Sequence, residues 1–322
     1  MSEAAIEGLV VSKSSRNVRV RSGDAVWLCS LRGRLRGGKT RGLPVVVGDQ
    51  VLLRPTGPGE AVLEEVLPRR NELRRARITA GRGIPSWRME RRIGAEEHVV
   101  AANMDHVLIV LAARSPPPRW GLVDRVLISS HFDELDVGIC LNKWDQVAQD
   151  SEEASRLEKA LAVYAALGHG TFRTSMAHGE GKEELGRWLA GRFTVFSGHS
   201  GVGKSTIINV FSTERAATGE VNVVTGKGRH VTTAATCYEI AGGGYLVDTP
   251  GYREYGLLDL DPADVGRHYD EFRPHIGSCR FGDCLHKGEP GCALRQAVER
   301  GEVSQLRYRN YLQILGSLRG EG

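Results

Sequence analysis

The sequence has no apolar run near the ~20 residues that a membrane-spanning helix needs. Its longest clean apolar stretch, Val107 to Ala113, is seven residues. The amino terminus, MSEAAIEGLV, carries acids where an export signal carries positive charge, and no h-region follows. These absences set the expectation of a soluble protein of the cytoplasm with no membrane contact. Cysteine is scarce, at six in 322 residues, which excludes a disulfide-built scaffold in a chain of this size. Cys29, Cys140 and Cys237 are scattered and read as small core residues. Internal repeats and low-complexity tracts are also missing. What is present is an ordinary globular composition, 41% hydrophobic and 25% charged, in a chain long enough for two or three domains.

The net charge of +4 hides an asymmetry. Residues 1–92 hold 19 Lys and Arg against 9 Asp and Glu, and the remainder is net acidic. A basic end of this kind suits a polyanionic partner, or serves only as a soluble surface. Within residues 1–70, five short alternating segments predict strands: Gly8–Val11, Asn17–Val20, Ala25–Cys29, Asp49–Leu53 and Ala61–Val66. Gly- and Pro-containing turns separate them, and five such strands suit a small OB-like barrel. Its loop Arg32–Arg41 is rich in Arg, Lys and Gly. The basic stretch 71–94 reads as a linker. From 95 to 258, apolar strand candidates alternate with helical patterns, which predicts a mostly parallel α/β sheet. Residues 259–322 carry a cysteine cluster followed by helical stretches.

Gly198-His199-Ser200-Gly201-Val202-Gly203-Lys204-Ser205-Thr206 fits the P-loop pattern and lies between a strand candidate and a helix. Glycines let the backbone curl so that N–H groups face phosphates. The helix amino end adds positive potential. Lys204 supplies a point charge and Ser205 a hydroxyl for Mg²⁺. Asp248-Thr249-Pro250-Gly251 follows another strand candidate. There Asp248 can hold the Mg²⁺ shell, and Gly251 can offer an N–H to the γ-phosphate. Between these motifs lies a Gly-rich loop, Gly226 to Thr233. Thr232, or Thr233 in its place, is the candidate Mg²⁺-sensing residue; an ordinary loop is the alternative.

Asn142-Lys143-Trp144-Asp145 follows the strand candidate Val137–Leu141. The Asp of such a site accepts from guanine N1–H and the 2-amino group, a donor pair that adenine lacks, so ATP leaves the carboxylate unpaired. Thr174-Ser175-Met176 fits a last loop against the base, or else a plain strand end. The expected nucleotide is therefore GTP. The base motifs precede the P-loop, a permuted order that chain closure permits where the original termini are close. No Gln follows Gly251: the position is Tyr252. Intrinsic hydrolysis is then expected to be slow. His230 is the candidate catalytic group, with a solvent-exposed loop histidine as the alternative.

Cys279-x4-Cys284-x-His286-x5-Cys292 is a Cys₃His set, the closed complement of one structural Zn²⁺. Free buried thiols are the alternative.

Taken together, NKWD, TSM, GHSGVGKST, GRHVTT, DTPGYREYGL and the Cys₃His spacing resemble the ribosome small-subunit-dependent GTPases, the RsgA (YjeQ/YloQ) family. The resemblance runs over essentially the whole chain. It implies a circularly permuted α/β P-loop GTPase between an OB-like β-barrel and a zinc-bound helical domain. It further implies late maturation of the 30S subunit, contact with 16S rRNA, and hydrolysis stimulated by the 30S particle. By the same resemblance His230 matches a switch-loop histidine implicated in catalysis, and the zinc domain helps grip the ribosome; His230, Lys204 and Thr232 are the expected catalytic set. Val231 departs from the GRHTTT that family members commonly carry, which bears on the Thr232 assignment. A monomer is expected. Two other readings stay open: a GTP-dependent metal-handling module, and an RNA-binding protein with a vestigial GTPase.

Overall fold

Inward apolar and outward polar residues alternate along the first strands: β1 (Ile6–Lys13), β2 (Val18–Ser22), β3 (Ala25–Leu31), β4 (Gln50–Gly57) and β5 (Glu60–Val66). They pair in the order β1-β2-β3-β5-β4, and β4 returns to β1 from Ile6↔Leu53 to Leu9↔Gln50. The ring is closed, and Val10, Val18, Val20, Val51, Leu53 and Leu63 fill it. The computed structural model describes residues 5–13, 17–31, 45–76, 97–132, 135–213, 236–248 and 260–319. The basic loop Arg32–Arg41 lies outside them.

The stretch expected as a linker begins differently. β6 (Glu72–Ala76) pairs antiparallel with β7 (Glu97–Ala102). Asn71 fixes the entry, donating to the Met104 carbonyl at 2.9 Å and accepting from the Met104 N–H at 2.8 Å. Arg69, just upstream, does not face solvent. Its Nε and Nη2 donate to Asp49 at 2.6 and 2.9 Å, and Nη1 to Glu72 at 2.9 Å. Local sequence signals miss this pairing because its partners are more than twenty residues away. Residues 77–96, the rest of the expected linker, are outside the described part.

The α/β region runs β8 (His106–Ala112), α1 (Trp120–Phe132), β9 (Asp136–Asn142), α2 (Glu152–Ala166), β10 (Gly170–Arg173), α3 (Lys182–Leu189), β11 (Arg192–Ser197), α4 (Lys204–Phe211), β12 (Thr236–Glu239) and β13 (Gly244–Asp248). β8, HVLIVLA, is buried along its whole length, as a central parallel strand must be. The sheet order is β10-β9-β8-β11-β13-β12, parallel except for β12. Ser12 of β1 then pairs with Thr236 of β12, so the barrel continues this sheet.

Two 3₁₀ turns, Val265–His268 and Asp270–His275, lead to α5 (Ala293–Glu299) and α6 (Gln305–Arg319). Their core of Val265, Tyr269, Phe272, Leu294, Tyr311 and Ile314 takes in Ile128 from α1. Beside it, Arg307 of α6 donates from Nη1 to the Asp124 carboxylate of α1 and from Nε to Glu271 at 2.7 Å. Tyr164 donates to Asp124 at 2.9 Å, and the guanidinium lies 4.3 Å from the Tyr269 ring centroid. Burial opposes the charge on Arg307, but the Asp124 and Glu271 carboxylates hold it firmly protonated.

Candidate nucleotide site and metal centre

β11 delivers the chain into the glycine loop. Gly198 has φ 141°, and a Cβ there would lie 2.2 Å from the Val110 carbonyl oxygen. Gly203 has φ 100°, and a Cβ there would lie 2.3 Å from Asn142 Nδ2. Both positions therefore need glycine. Ser200 and Gly201 are exposed, Val202 is buried, and α4 starts at Lys204 with Ser205 and Thr206 exposed in its first turn. Lys204 Nζ donates to the carbonyls of Gly198 at 2.7 Å and His199 at 2.9 Å, which curls the ammonium over the loop. Asp248 ends the neighbouring strand β13. Burial raises its carboxyl pKa, and the Lys204 ammonium pulls it back. A lysine, an exposed hydroxyl and a carboxylate thus converge at a helix amino end. That donor set fits a phosphate chain with a hard cation.

Asn142 closes β9 and reaches in two directions. Its Nδ2 donates to the Val202 carbonyl at 3.0 Å. Its Oδ1 accepts from Thr174 Oγ1 at 3.1 Å and from the Met176 N–H at 3.3 Å. One buried side chain thereby joins the phosphate loop to both base loops. Lys143 adopts φ 61° and donates to the Ser115 carbonyl at 2.7 Å. The Ser175 hydroxyl donates to Asp145, and His178 Nδ1 lies 3.0 Å from that hydroxyl. Trp144 packs inward, with Arg173 5.1 Å from its ring centroid.

The structure therefore brings Asn142, Asp145, Thr174 and Ser175 to one side of the phosphate loop and Asp248 to the other. His230, Thr232, Thr233, Gly251 and Tyr252 lie outside the described residues. Sequence reading missed His178 and the Ser115 carbonyl. For His178 the close spacing behind Ser175 was a usable signal; the Ser115 contact depends on the tertiary fold and left none.

Near the carboxyl end, the ligand atoms of Cys279, Cys284, His286 and Cys292 lie within 4.8 Å of one another. His286 Nδ1 is 3.4 Å from both Cys279 Sγ and Cys292 Sγ. Zn–S of ~2.3 Å and Zn–N of ~2.0 Å in a tetrahedron place N and S roughly 3.5 Å apart. Backbone N–H groups of Ala293 and Arg295 donate to Cys279 Sγ and Cys292 Sγ. Burial, then the adjacent thiols, push Cys284 up to about 12, a cost that a divalent cation removes. The residues therefore fit zinc. Tyr308 and Tyr311 of α6 donate to the His286 and Leu285 carbonyls at 2.6 and 2.7 Å and hold the ligand loop. Glu289 staples the same loop. Burial opposes its charge, but the N–H groups of Gly288, Glu289, Leu285 and Lys287 bring it down to about 2.

A family model described as RsgA GTPase matches residues 66–258. The chain belongs to the RsgA GTPase family. Membership makes it a GTP-hydrolysing enzyme. The RsgA of Actinobacillus pleuropneumoniae serotype 5b, named a small ribosomal subunit biogenesis GTPase, is 36% identical over 317 residues, covering 97% of this chain and 85% of that protein. The RsgA of Moorella thermoacetica is 36% identical, covering 97% of each chain. The crystal structure of YjeQ from Thermotoga maritima superposes with a TM-score of 0.73 at 30% identity, covering 98% of this chain and 99% of that one. YloQ, titled a circularly permuted GTPase, gives a TM-score of 0.71 at 24% identity, over 99% of this chain and 97% of that one. The permuted RsgA-type fold, with its closed amino-terminal barrel and carboxyl-terminal Cys₃His cluster, is that of this protein. No helix among the described residues is long and apolar enough to cross a membrane.

Proposed function

We propose that this enzyme binds GTP across the Asn142 junction and hydrolyses it during maturation of the small ribosomal subunit. The observation that carries the reading is the bridge from Asn142 to Val202, Thr174 and Met176. It fixes the distance between a purine reader and a phosphate cradle. Asp145, held by Ser175, accepts from the guanine N1–H and 2-amino group, and the Lys143 stem packs along the ring. Gly198 to Gly203 present backbone N–H groups to the phosphates, and Lys204 and Thr206 support them. Ser205, Asp248 and Thr232 would hold Mg²⁺, which when bound neutralises phosphate charge. Gly251 meets the γ-phosphate, and His230 orients the attacking water in place of the absent Gln.

The division into a barrel at 1–70, a GTPase unit at 95–258 and a zinc unit at 259–322 belongs to this reading. Cys279, Cys284, His286 and Cys292 would hold the zinc. The barrel and its basic loop contact 16S rRNA, and docking on the 30S particle completes the active site. The protein acts as a monomer in the cytoplasm. The names of the relatives support the subunit assignment. Calorimetry with GTP and ATP tests the site: GTP binds and ATP does not. Turnover measured with and without purified 30S subunits tests the role: stimulation is expected, and equal rates refute it.

A further inference from the structure

A second cavity opens on the described surface beside the phosphate loop. It is a groove of about 850 Å³ between α1, α2 and α6, and it ends at His199 of the phosphate loop. Arg119 and Arg125 line it from the start of α1, Arg156 and Lys159 from one face of α2, and Arg309 from α6. No Asp or Glu lines it. Among the described residues, none of these five cations pairs with a carboxylate. Arg125 donates to Ser317 Oγ and Arg309 to the Gln305 carbonyl, both neutral acceptors. Arg119, Arg156 and Lys159 are exposed. Like charges gathered without acids repel one another, so a surface of this kind is stabilised by an anion that fits it. Four of the five are guanidinium groups, which match phosphate oxygens in bidentate geometry better than an ammonium does. Trp120 also lines the groove, with its ring stacked on Tyr164 at 5.8 Å. A fixed aromatic among arginines offers a face for a base beside contacts for a backbone.

We propose that this groove is a second RNA-binding site, which grips the phosphate backbone of a single-stranded or looped segment and stacks a base on Trp120. The inference rests on the ribosomal reading for its partner but uses residues that reading leaves idle. The RNA lies against the phosphate loop through His199. It is also gripped jointly by the α/β region and the carboxyl-terminal helix. An acidic protein segment is the competing occupant, and it has no use for the ring.

The test uses the full-length protein, a labelled 20-nucleotide oligouridine carrying 4-thiouridine, and purified 30S subunits. The variant R156Q/K159Q/R309Q is expected to keep its basal GTP turnover and its unfolding temperature. Its RNA affinity at moderate salt falls about tenfold, and the slope of log K against log salt drops by about 2, at ~0.7 per lost single-strand contact. Crosslinking of wild type maps to the peptide holding Trp120 and disappears in the variant. The charge-conserving R156K/R309K keeps the wild-type salt slope and loses less affinity than the triple variant, the remaining loss being that of bidentate contacts. An unchanged slope with no crosslink in the groove overturns the proposal. So does an equal loss in R156K/R309K, which indicts the fold and not the charge, or displacement of the RNA by polyglutamate at equal charge concentration. Wild type that ignores 30S subunits refutes the ribosomal role instead, whatever the oligouridine does.

Discussion

The two units flanking the α/β sheet are joined to it in different ways. The barrel is attached along an edge and through Val47, which is buried in the α/β core and whose carbonyl accepts from the Ala102 N–H at 3.0 Å. Ser12 pairs with Thr236, and Arg21 meets Glu239 at 2.5 Å with side chains 26% and 38% exposed. The carboxyl-terminal unit is attached through its core. Ile128 of α1 packs into it, and Arg307 and Asp124, 3% and 0% exposed, pair beneath the surface. An exposed pair contributes ~0–1 kcal/mol, whereas breaking a buried one costs ~3–5 kcal/mol. The ion pairs of the two joints therefore differ in weight: the one at β12 contributes little, while the one at α1 breaks only at high cost. The weak pair is on β12, the strand that follows residues 214–235.

Removing metal is the strongest way to break the contrast. Chelation, or Cys292→Ala, is expected to abolish the folding of the carboxyl-terminal unit, since structural zinc supplies ~10 kcal/mol or more in small modules. Because the core of that unit takes in Ile128 of α1, calorimetric unfolding should also show a lower midpoint for the α/β region. An unchanged trace sinks the metal assignment. Asp124→Ala should then cost about 3–5 kcal/mol in denaturant unfolding, because Arg307 is left buried and unpaired. Asp49→Ala tests the same physics within the barrel and strands Arg69, with a loss of similar order. Arg21→Ala should change stability by no more than about 1 kcal/mol. A loss as large as that of Asp124→Ala would erase the distinction between the two joints.

The smallest effect sits in the sheet, away from both joints. His106 starts β8, stacked 4.1 Å from Trp188. Burial, then Arg192, lowers its pKa below 6.5, against the pull of Asp136 and Asp105. The unfolded chain takes up its proton first, so stability falls as pH drops from 6.5 toward the folded value. His106→Phe should flatten that slope slightly in unfolding titrations between pH 7 and 5, and an unchanged slope assigns it elsewhere.

Much of this was legible in sequence because its signals are local. Alternation marked the five barrel strands, and the continuous apolar run marked β8. The glycine loop, NKWD and the Cys₃His spacing each fit within a few turns of chain. What escaped notice depends on distant partners. Arg307 and Asp124 are 183 residues apart, and nothing near either one signals the other. In sequence Arg69 counts only as one more charge of the basic residues 1–92, and only the fold shows it enclosed by Asp49 and Glu72. β12 has four half-buried residues and shows no period to read.

The order β10-β9-β8-β11-β13-β12 carries a consequence for biosynthesis. The strands fall into two contiguous blocks, and the seam runs between β8 and β11. A chain emerging amino end first completes the block bearing Asn142 and Asp145 before Lys204 exists. That block is then finished early, but the tether from Asn142 to Val202 must wait for the second block to zip on. A nascent chain is in this way kept from assembling both halves of the site until it has been made past β13, at residue 248 of 322.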